Sequence, residues 1–100
     1  MGAIGLFEEL RTHGQMRWTG QEHAWLARPD DVVSALSHEG FEEYKREVTR
    51  SRRGRGPRGG VWQGLNSRTG AVASAIWVNR PEAEQALVFI DIDGEPVREG

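Results

Sequence analysis

The chain contains no cysteine, so it has no disulfide, no thiol nucleophile and no thiolate metal site. That absence suits a reducing compartment, and we expect a cytoplasmic protein. No apolar run approaches the roughly 20 residues that a membrane-spanning helix needs. The opening MGAIGLFEEL reaches Glu8 and Glu9 too early for a secretory signal. There is no G-x-x-x-x-G-K-[ST], no G-x-S-x-G, and no G-x-G-x-x-G that follows a strand and opens a helix. The three histidines, His13, His23 and His38, have no partners at metal-ligand spacing. No catalytic residue, metal or cofactor is therefore expected. Asp91 and Asp93 would suit paired carboxylates, but a strand emerging into solvent before the Asp93-Gly94 turn accounts for them more simply.

What is present fits one domain of 100 residues. Its hydrophobic fraction of 37% is low, and four tryptophans compensate with large buried areas. Ile4, Phe7 and Leu10 recur at helical spacing and predict a helix over about Ala3–His13, with Gly14 as its cap. Met16 and Trp18 alternate with polar neighbours, as in a short extended link. Thr19-Gly20-Gln21-Glu22 has the form of a capping box, which predicts a short helix containing Ala24, Trp25 and Leu26. Pro29 suits the first turn of the next helix, Asp30 and Asp31 the positive end of its dipole, and Gly40 its stop.

Residues 41–50 carry both patterns. Phe41, Tyr44 and Val48 make a helical stripe supported by Glu42→Arg46, whereas Tyr44, Arg46, Val48 and Arg50 alternate as in a strand. The helical reading is preferred. Gly54, Gly56, Pro57, Gly59 and Gly60 then argue against regular structure before Val61. Val61–Leu65, Ala71–Val78 and Leu87–Ile92 read as strands joined by Asn66–Gly70 and by a turn at Arg80–Glu84, links short enough to demand antiparallel pairing. The expected fold is thus α+β, with three or four short N-terminal helices followed by a three-stranded antiparallel meander. One domain covers residues 1–100, with 50–60 a flexible Arg/Gly loop.

The two sides of that meander also carry an expectation. Val72, Ile76 and Val78, with Val88, Ile90 and Ile92, are assigned to the helix-covered face. Ala73, Ala75 and Trp77, extended by Leu87 and Phe89, are assigned to the other face and read as a protein interface, most simply that of a homodimer.

The stretch Arg50–Gly60 is the sharpest chemical feature. It holds Arg50, Arg52, Arg53, Arg55 and Arg58 with no acid, and so carries +5. The remaining eight basic and fifteen acidic residues leave the rest of the chain at −7, within a total of −2. Guanidinium groups match phosphate through bidentate hydrogen bonds, and Arg68 and Arg80 would extend the site if the sheet curled toward the loop. The expected function is non-catalytic binding of an anionic partner, nucleic acid or nucleoprotein. The alternative is a protein-interaction module of inhibitor, immunity or adaptor type, using the acidic surface and the apolar sheet face. A small ribonuclease is less favoured, because such catalysis needs a paired general base and acid and the histidines all precede the sheet.

Helices, then an Arg/Gly turn, then strands is an order similar to that of the winged-helix DNA-binding fold, with the basic loop in the place of the wing. The likeness is one of topology alone. Ala24–Val32 is short for a helix-turn-helix, and Asp30 and Asp31 would repel phosphate at the recognition helix.

Overall fold

Two glycines with left-handed backbones close the two helices of this computed structural model, which describes residues 3–21, 24–50 and 57–98. Helix α1 (Ala3–Thr12) ends at Gly14, φ 73°, where Gly14 N–H donates to the Arg11 carbonyl and Gln15 N–H to the Leu10 carbonyl. Helix α2 (Pro29–His38) begins at Pro29 and ends before Gly40, φ 102°. Arg28 precedes α2 and holds Asp31 through two hydrogen bonds of 3.2 Å. That contact with Asp31 raises the Arg28 guanidinium above its ordinary value.

The remaining elements are strands. They are β1 (Met16–Trp18), β2 (Ala24–Ala27), β3 (Phe41–Arg50), β4 (Pro57–Asn66), β5 (Val72–Val78), β6 (Ala86–Ile92) and β7 (Glu95–Pro96). All pair antiparallel in one sheet ordered β1-β2-β6-β5-β4-β3, with β7 beside the end of β6. Two helices and a seven-stranded sheet replace the expected three or four helices and three-stranded meander.

Each correction has a local cause. The Thr19 hydroxyl turns the chain: it accepts the Gln21 N–H at 3.2 Å and donates to the Ala24 carbonyl at 2.9 Å. The expected helix around Trp25 is therefore the return strand of a hairpin, with Trp18 paired to Trp25. Glu22, the other half of the expected capping box, lies outside the described residues. Residues 41–50 are a strand because β4 supplies a partner along their whole length, and such pairing overrides local helix preference. The glycines expected to break structure, Gly59 and Gly60, lie inside β4.

The faces expected for β6 are the observed ones, with Val88, Ile90 and Ile92 on the helix side, but β5 is turned over relative to its expected faces. Ala73 pairs with Ile92, Ala75 with Ile90 and Trp77 with Val88, which puts the two alanines on the helix side with the core residues of β6. Both helices cover that side: α2 packs on β3, β4 and β5, and α1 on α2 and β1. Ala73 and Ala75 are 0% and 1% exposed, and Trp62, Leu36, Met16, Val32, Val88 and Ile90 are equally sealed. Small side chains on β5 let α2 approach. Val72, Ile76 and Val78 point the other way, together with Leu87 and Phe89. The register of one strand decides this, because a slip of one residue turns every side chain over.

Candidate anion-binding hairpin

The arginine-rich stretch connects the two longest strands. Arg50 pairs with Pro57 at the end of the β3–β4 ribbon, and Arg58 follows one position along. Both arginine side chains are exposed. Arg52, Arg53 and Arg55, singled out from the sequence, lie in 51–56, outside the described residues. The end of the ribbon is tied to the body through the Arg58 carbonyl, which accepts the Asn79 N–H at 2.7 Å. Arg80, one residue on, therefore belongs to the same end of the sheet. Its Nε donates to the Gln85 carbonyl at 3.1 Å and its side chain remains exposed.

Arg68 belongs to the other end. It sits in the β4–β5 loop, where its N–H donates to Asn66 Oδ1 at 3.0 Å. The length of β4 separates it from Arg58, about 30 Å at ~3.3 Å per residue. Of the seven arginines read as one site, Arg50, Arg58 and Arg80 are gathered at one end and Arg68 is not.

Charges of both signs interleave along β3, with Glu42 and Glu43 toward the base, Lys45, Arg46 and Glu47 beyond them, and Arg50 at the tip. Midway, Glu43 Oε1 accepts hydrogen bonds from Arg46 Nε and Trp62 Nε1, each at 2.8 Å. Together these hold the Glu43 carboxyl below its ordinary range, with Arg46 the larger cause. A register shift between Glu43 and Lys45 is what brings Glu43 and Arg46 to one face, so the expected helical partnership of Glu42 with Arg46 is replaced. The ribbon is stiffened where it leaves the core.

Among the described residues the remaining titratable groups give no general acid and base paired for catalysis. Asp93 is a turn residue, with φ 53° and Oδ1 accepting the Val72 N–H at 2.8 Å. His13 and His38 both line a groove of about 330 Å³ between the helices, with Leu6, Leu10 and Ala35 as its floor. Among the described residues no three His, Asp or Glu side chains are placed to hold a metal ion, and no helix is long and apolar enough to cross a membrane.

The five residues read as a protein interface are divided between the two sides. Ala73 and Ala75 are sealed in the core and Trp77 is half-buried beside them, while Leu87 and Phe89 lie on the open side. The open side was missed at Leu26, Val61, Leu65, Val72, Ile76 and Val78. The signal was available in the loops, since closing Asn66–Gly70 tightly sets Leu65 against Val72 and fixes the side of every later residue. No protein-family model, curated protein or solved structure matches this chain.

Proposed function

We propose that the chain is a non-catalytic binding protein that engages nucleic acid through the end of its β3–β4 ribbon. One observation carries the reading: Arg50 and Arg58 are exposed at the paired end of a two-stranded ribbon. By sequence, the seven residues joining them add Arg52, Arg53 and Arg55 and no acid. Guanidinium forks bind phosphate oxygens in pairs, and a two-stranded ribbon fits the major groove of a duplex. The acidic remainder of the chain confines phosphate binding to this end. A cysteine-free chain suits the cytoplasm, where such a partner is available.

The test is a fluorescence-anisotropy titration with short single- and double-stranded DNA and RNA at low and at physiological salt. Binding that weakens steeply with salt is expected, because each neutralised phosphate releases counterions. No binding to any of the four at low salt would sink the proposal. A second reading, a protein-interaction module, is favoured by the apolar open face of the sheet, and its partner would be recognised without the arginines.

A further inference from the structure

The side of the sheet away from the helices is apolar and, among the described residues, uncovered. Ile76, Val78 and Leu65 are 48%, 51% and 42% exposed. Pairing sets Val61 beside Ile76, and Leu65 beside Val72. Between these apolar rows runs a polar one: Asp91 on β6, Ser74 on β5, Gln63 on β4 and Lys45 on β3 lie side by side across four strands. The row has an acid at one end, a base at the other and two hydrogen-bonding side chains between.

We propose that this face is the interface of a homodimer in which a second copy packs sheet on sheet about a two-fold axis parallel to the strands, between β4 and β5. Such a rotation lays β6 over the second copy's β3, and β5 over its β4. Asp91 then faces the second copy's Lys45, and Ser74 its Gln63. The same operation puts Ile76 opposite Val61 and Val72 opposite Leu65, so apolar meets apolar at the centre of the flanking rows, on β4 and β5. Glu47, on edge strand β3, comes opposite the second copy's Phe89 at the margin of the interface, where its carboxylate can still reach water. The other in-plane two-fold, perpendicular to the strands along the polar row, sets Asp91 on Asp91 and Lys45 on Lys45. Like charges exclude it.

Two further observations favour a second copy. Among the described residues Asp91 Oδ1 has no hydrogen-bond partner, and the second copy's Lys45 would bring a positive charge to that half-buried carboxylate. The area suits a weak, reversible association. Four overlapping strands about 4.8 Å apart and five residues of ~3.3 Å span about 19 by 17 Å, a projected ~320 Å² per copy before side-chain relief is added. That lies below the usual size of specific interfaces, so the dimer should dissociate on dilution.

An axis along the strands points both β3–β4 ribbons the same way. With the ribbon midlines two strand spacings apart laterally and ~10 Å between sheets, the two Arg50/Arg58 ends would lie about 14 Å apart and form one basic surface. The dimer does not depend on what that surface binds.

Sedimentation equilibrium without nucleic acid tests it, and so keeps its failure separate from that of the nucleic-acid reading. A dimer mass is expected at high micromolar concentration, and a monomer mass for Ile76→Glu with unchanged far-UV circular dichroism. Lys45→Asp and Asp91→Lys should each weaken the dimer several-fold, and the chain carrying both should recover it, because the exchanged pair faces itself again. Lys45 is on the exposed edge strand, so Lys45→Asp keeps the test decisive if Asp91→Lys does not fold. A monomer at every concentration, a dimer indifferent to Ile76→Glu, or a dimer that Lys45→Asp leaves as tight as before would each overturn the proposal. So would failure of the folded double variant to recover the dimer.

Discussion

The six-membered ring of Trp77 lies against the backbone of Gly60 on the neighbouring strand, so close that a β-carbon at Gly60 would run into it. The same arrangement recurs within β4, where the Trp62 ring occupies the space a side chain at Gly64 would need. Glycine in a strand costs conformational entropy, and here each position is filled by an indole instead. Gly60→Ala should destabilise the fold by about 1–3 kcal/mol through overpacking, read as a shifted urea midpoint. Combining it with Trp77→Leu should recover part of the loss, since residues in contact couple. A strictly additive double variant would show that the ring does not set the need for glycine.

Asn66 is the buried polar residue that joins the two layers. It is 6% exposed, and its Nδ2 donates to the Glu39 carbonyl at the end of α2 at 3.2 Å. Its Oδ1 meanwhile orders the β4–β5 loop through the Arg68 N–H. Asn66→Leu leaves that carbonyl and that N–H without their partner, at a cost of about 1–3 kcal/mol. Hydrogen exchange should show faster opening at the C-terminal turn of α2 and at the loop together. Protection unchanged at both would remove the linking role.

These two residues also mark where the sequence was readable. α2 was legible from Pro29 to Gly40 because proline, first-turn acids and a terminal glycine all act locally, and the Asn66–Gly70 turn was legible for the same reason. The tryptophan-filled glycines were not. Gly60 read as a breaker because its filler, the Trp77 ring, comes from another strand, and Gly59 because it is the Trp77 carbonyl of that strand that stands where its β-carbon would lie. β3 was ambiguous because Glu42 through Arg50 suits either period, and only the partner strand decides. The arginines of the candidate site could be named at once. That Arg68 stands at the far end of β4 from Arg58 required the topology.

Acid should loosen the base of the ribbon. The folded Glu43 carboxyl lies below its ordinary value of 4.5, because Arg46 and Trp62 donate to its charged form. A depressed carboxyl contributes stability that is fully present above the unfolded value and is lost as pH falls through the folded one. The contribution is therefore present at neutral pH and should fade below about pH 4.5. Glu43→Gln lacks this term, so its melting temperature should fall less steeply over that interval than the parent's. Parallel melting curves for the two chains would discard the linkage.

Position along β4 discriminates between a local arginine site and general attraction to phosphate. Arg58 and Arg68 are both exposed, lie in the same hairpin system and carry the same charge, but stand at opposite ends of the strand. If the ribbon end engages nucleic acid, Arg50→Glu with Arg58→Glu should abolish most of the binding. Replacing the same pair with alanine should lower the slope of log affinity against log salt by about 0.9 per lost phosphate contact on a duplex. Arg68→Glu changes the net charge in the same direction yet should leave the affinity within about twofold, because at ~30 Å it lies well beyond the ~8 Å screening length at physiological salt. Equal losses from the two ends would mean that the whole surface, rather than the ribbon, attracts the phosphates. Circular dichroism on each variant separates lost binding from lost structure, and none of the three arginines is buried.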